Sequence, residues 1–105
     1  MNEKKIKAAA LWKWGKEVQT WKLIEELGEL ITAVARMRIA EINPDAARGR
    51  EIENLAEEFA DSSIVGEQIV TCYGIDKQIK AQRTSKLRRL AERLGINAES
   101  ENEKE

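Results

Sequence analysis

Apolar positions along the chain recur at helical intervals, and no stretch alternates like a strand for more than a few residues. Leu23, Leu27, Leu30, Ile31 and Val34 follow the i, i+4, i+7, i+8, i+11 recurrence of one helix face. Ile52, Leu55 and Phe59 mark a second face, and residues 64–70 are apolar on several sides, as in a buried helical segment. The punctuation is equally simple: Gly15, the Asn43-Pro44-Asp45 turn, Gly74 and Gly95. The pattern predicts four helices, over about 3–14, 17–41, a third that starts between 44 and 52 and ends near 73, and 76–94. The expectation is an all-α four-helix bundle over residues 1–97, followed by a disordered charged tail over 98–105.

Composition narrows the chemistry. The chain has 105 residues, 18 basic against 19 acidic, no histidine and one cysteine. Without histidine there is no Ser-His-Asp or Cys-His catalysis, no His-ligated zinc and no Glu-x-x-His di-iron site. Cys72 alone makes neither an intrachain disulfide nor a thiolate cluster, and it reads as a small buried hydrophobe in a cytoplasmic protein. Near-neutral charge argues against a nucleic-acid partner, and no apolar run is long enough for a membrane partner. A domain this small favours sharing its core with further copies, as a homodimer or homotetramer.

What remains is carboxylates. Glu25, Glu26 and Glu29 cluster on the second predicted helix, and Glu57, Glu58 and Asp61 on the third. Residues three apart lie about 60° apart around a helix axis, so Glu26 and Glu29 share a direction, as do Glu58 and Asp61. In an antiparallel hairpin the first cluster lies about 20 Å from the turn and the second about 13 to 24 Å, so the two can reach one level. Like charges about 4 Å apart at an effective dielectric near 20 repel by on the order of 4 kcal/mol per pair. Raised pKa values, cationic side chains or a metal must offset this. An oxygen-only donor set suits Mg²⁺, with Mn²⁺ as substitute, and such ions commonly travel with phosphates. The residues alone leave open a solvated acidic face paired with Lys and Arg.

Glu-Glu-x-x-Glu on one helix and Glu-x-x-Asp on the next, filled here by Glu25, Glu26, Glu29, Glu58 and Asp61, resemble the motif of the MazG-like nucleoside triphosphate pyrophosphohydrolases of the all-α NTP pyrophosphatase superfamily. Trp14-Gly15, Gln19, Lys22-Leu23-Ile24, Ile64 and the Lys86-to-Leu90 run extend the resemblance over roughly residues 10 to 93. It implies Mg²⁺-dependent hydrolysis of an NTP or dNTP between the α and β phosphates, giving a monophosphate and pyrophosphate in a house-cleaning role. It implies metal ligation by Glu26, Glu29, Glu58 and Asp61; Glu25 completes the motif, and we assign it an accessory role, orienting a metal-bound water or assisting its deprotonation. Lys86 is implied as a phosphate contact. The dimeric dUTPases and the phosphoribosyl-ATP pyrophosphatases of the same superfamily are alternatives, as is a non-catalytic helical interaction module.

Three more polar residues are candidate substrate contacts. Lys22 lies one turn before Glu26, Gln19 one turn before Lys22, and Asn54 shares a face with Glu58 and Asp61. Of the tryptophans, Trp14 shares its side with Leu11 and is the expected core residue. Trp12 is left for an oligomer contact or a nucleobase.

Overall fold

The computed structural model describes residues 1–43 and 49–99. Among them the chain is all-helical: α1 (Glu3–Ile42), α2 (Gly49–Tyr73) and α3 (Asp76–Leu94), with no strand. Expected positions at 44–48, including the Pro44 turn, and most of the expected tail, 100–105, lie outside the described residues.

Three helices stand where four were expected, and the difference lies at Gly15. Helical turns stand directly on both sides of it, yet Gly15 itself has φ 87° and ψ 161°, a backbone region open essentially to glycine alone. The contacts reveal what this break does. Gln19 meets Gln68, Leu23 lies beside Gly66 and Glu26 meets Ser62, so α2 numbers fall as α1 numbers rise: the pair is antiparallel. Extended straight backwards, α1 would carry Lys7 past the end of α2. Instead Lys7 Nζ reaches Glu67 Oε2 at 3.4 Å. The segment before Gly15 therefore folds back along α2, and one assigned helix supplies two rods.

The seam between α1 and α2 is unusual in content. The buried residues of α1 are Gln19, Glu26, Ala33 and Ala40, spaced seven apart as a line of helix–helix contact should be. Facing them, α2 buries Ser62, Val65 and Gln68. Two of the four α1 positions are polar and two are alanine. The predicted apolar stripe lies beside this line and stays largely open, with Ile31 70% and Val34 49% exposed.

Two compact units divide the chain, Met1–Tyr73 and Gly74–Glu105. In the second, α3 begins with Asp76 in its first turn, where a carboxylate favours the helix dipole. It closes at Gly95 in the left-handed conformation, whose N–H bonds back to Glu92 O at 3.1 Å. Arg88 Nε donates to Glu99 at 2.8 Å. No described helix is long and apolar enough to cross a membrane.

Candidate metal centre

The heptad line that pairs α1 with α2 also holds the most buried acid of the cluster. Glu26 lies on it, 4% exposed, and Ser62 Oγ donates to the Glu26 backbone carbonyl at 3.2 Å, which ties the two helices at this level. Glu25 and Glu29 flank Glu26 on α1, and Glu58 and Asp61 come from α2, four residues and one residue before Ser62. Oxygens of Glu25, Glu26 and Glu29 lie within 4.8 Å of one another, and so do oxygens of Glu26, Glu58 and Asp61. Glu26 belongs to both groups. It is the hinge of the cluster.

Two observations fit this donor set to a cation. Glu26 Oε2 and Glu58 Oε2 are both buried and have no hydrogen-bond partner, an expensive arrangement for carboxylates unless a positive charge is drawn to them. All donors are carboxylate oxygens, the preference of a hard divalent ion. The groups fit Mg²⁺ or Mn²⁺ and give no thiolate or imidazole that would favour zinc.

Part of the charge is met internally. Lys22 Nζ lies 3.0 Å from Glu26 Oε1 and 3.5 Å from Glu25 Oε1. The hydrogen bond to Glu26, and then the charge of Glu25, hold the Lys22 ammonium above its ordinary range. Repulsion is left over. The Glu26 charge, followed by desolvation and by Glu58, pushes the Glu29 carboxyl above the usual carboxylate range.

Along α1 the carboxylates lie between two recesses. One, of about 460 Å³, is bordered by Glu25, Glu29, Arg36, Asn54 and Glu58. Asn54 thus adjoins the acids, as its spacing from Glu58 predicts. Arg36 was not singled out from the sequence, although Glu25, Glu29, Thr32 and Arg36 follow a clear i, i+4, i+7, i+11 spacing. Glu51, three residues before Asn54, also carries a buried, unpartnered Oε2.

The other recess, of about 540 Å³, is mostly apolar and includes Lys22, Gln19 and Gln68. Gln19 Nε2 donates to Gln68 Oε1 at 2.7 Å, and both residues are about 95% buried. Trp14 borders this recess and is 52% exposed, not a core residue as expected, because the fold-back at Gly15 leaves it at the recess edge. Trp12 is 88% exposed. Lys86 belongs to α3, in the second unit, where no residue of the helix is buried.

Comparison of the chain with protein-family models, with curated proteins and with solved structures found no match in any of the three.

Proposed function

We propose that this chain is a Mg²⁺-dependent nucleoside triphosphate pyrophosphohydrolase, similar in site and mechanism to the MazG-like enzymes its acidic motif resembles. The observation that carries the reading is the double use of Glu26: one buried carboxylate shared by two oxygen-rich groups from two helices. Glu26, Glu29, Glu58 and Asp61 would hold the metal, which neutralises the triphosphate and polarises the reacting phosphorus.

The chain's own residues do the rest. Lys22, already beside Glu25 and Glu26, has a phosphate oxygen as its natural alternative partner once those carboxylates are engaged. Arg36 and Asn54, at the polar recess, are suited to phosphate oxygens, Arg36 through its fork of donors. Glu25, with its side chain half-open to solvent, is the acid best suited to orient a water in line with the α-phosphorus and accept its proton. No protein nucleophile is needed, in keeping with a chain that lacks histidine.

A bundle completed by further copies belongs to the same proposal. Among the described residues the buried apolar side chains are only Ala33, Ala40 and Val65, whereas Trp21, Ile31 and Phe59 are 66%, 70% and 56% exposed. Apolar surface on that scale calls for a partner, and a second copy is the economical one.

The test is product analysis. Incubation with Mg²⁺ and a panel of NTPs and dNTPs should yield monophosphate and pyrophosphate, and Glu58→Gln should lower turnover about 100-fold or more with helicity intact. Release of inorganic phosphate alone, or full activity in Glu58→Gln, would contradict the assignment.

A further inference from the structure

The mostly apolar recess that includes Lys22 is lined by none of the clustered carboxylates, yet its composition is that of a small-molecule site. Ile6, Ala10, Trp14, Val18, Ile64 and Val65 supply apolar walls, brought together because the segment before Gly15 folds back over α2. At about 540 Å³ it is within the usual size range for such pockets, and it combines apolar walls with few polar groups in the usual way. The polar groups are unusual. Gln19 and Gln68 are each about 95% buried, and the pair uses one N–H and one C=O between themselves. A glutamine amide offers two donors and one two-lone-pair acceptor, so beyond this bond the pair has capacity for a further partner at the Gln19 carbonyl and the Gln68 NH₂. Two neutral amides buried in an apolar wall stabilise a fold poorly compared with leucine. They are well suited to an uncharged ligand whose edge carries donors and acceptors side by side.

The recess is also in the right place. Gln19, Lys22 and Glu26 lie at i, i+3, i+7 on one face of α1, so the amide pair stands about 10 Å along the axis from the central carboxylate, with Lys22 between. A planar heterocycle in the recess would leave its sugar at Lys22 and its phosphates at the acids. We propose that this recess receives the nucleobase of the nucleotide, with the Gln19–Gln68 amide pair reading the polar edge of the ring. This deepens the hydrolase reading and rests on it for the position of the phosphates. It makes the substrate a true nucleotide, recognised at its base, and not a bare polyphosphate.

Binding can be read without turnover. With Mg²⁺ present, parent and Gln68→Leu are titrated with four α,β-imido dNTPs and with inorganic tripolyphosphate, followed by intrinsic tryptophan fluorescence and calorimetry. Gln68→Leu should weaken at least one imido-nucleotide about tenfold or more and leave tripolyphosphate unchanged. Val18→Trp, at a 53% exposed position bordering the recess, fills the same space without disturbing the buried pair and should weaken the nucleotides likewise. Unchanged nucleotide affinity in both folded variants overturns the proposal, as does a parent that binds tripolyphosphate as tightly as every nucleotide. The two readings fail separately. A parent that binds nucleotide through the recess but never hydrolyses it refutes the catalytic reading alone, whereas variants that cleave all four dNTPs with the parent's KM and base preference refute the recess alone.

Discussion

Glu26 is a carboxylate where a helix seam would ordinarily place leucine. It is buried on the heptad line, salt-bridged through one oxygen to Lys22, and unpartnered at the other. Such a group has a cost to the fold, and its neighbours extend that cost. Glu29 is held above the ordinary carboxylate range, so at this group the folded chain binds protons more tightly than the unfolded chain. Its contribution to stability is therefore full below about pH 4.3, the ordinary glutamate value, and is lost as pH rises through the raised one. Without divalent cations, Glu29→Gln should melt higher than the parent at neutral pH, with the gap closing in acid. A variant that gains nothing at neutral pH would contradict the repulsive cluster. Adding Mg²⁺ should narrow the same gap by stabilising the parent.

At the scale of elements, Gly15 decides the architecture. Its φ of 87° with ψ of 161° suits no side chain, so Gly15→Ala should cost about 1–3 kcal/mol in urea denaturation. A neutral effect would mean that the fold-back does not depend on this backbone. The sequence marked Gly15 as a break, but nothing local tells which way the chain turns after it. The same limit separates what was legible from what was not. The pairs Glu26–Glu29 and Glu58–Asp61 follow from helical spacing, whereas hairpin arithmetic only allows them a common level, because the start of the third helix is open over several residues. The Gln19–Gln68 pair joins residues 49 apart, and its partner identity depends on register, which periodicity alone does not supply. The predicted Leu23-to-Val34 stripe identified a real apolar face but not the seam itself, because the buried line is built from Gln19, Glu26, Ala33 and Ala40, two polar and two small residues.

For the whole molecule, the ratio of buried to exposed apolar side chains matters most. The described residues bury no large side chain completely, and many of the largest are half-exposed or more. A chain of this kind should self-associate: light scattering after gel filtration at micromolar concentration should give a dimer or larger. Trp21→Glu, at a 66% exposed position that is not among the residues assigned to the site, should shift the mass toward the monomer. A monomer with a sharp, concentration-independent unfolding transition would show that the apolar surface has no partner among its own copies.

If Glu26 joins the two oxygen groups into one metal centre, side chains from α1 and α2 must draw divalent cations between them. Electron paramagnetic resonance of Mn²⁺ titrated into the protein, with α,β-imido dNTP present, measures that uptake directly. The parent should bind at least one ion per chain, and Glu26→Gln, which removes the carboxylate shared by both groups, should abolish the binding while preserving the helical circular dichroism. Equal Mn²⁺ uptake by parent and variant, or none by the parent, would contradict it.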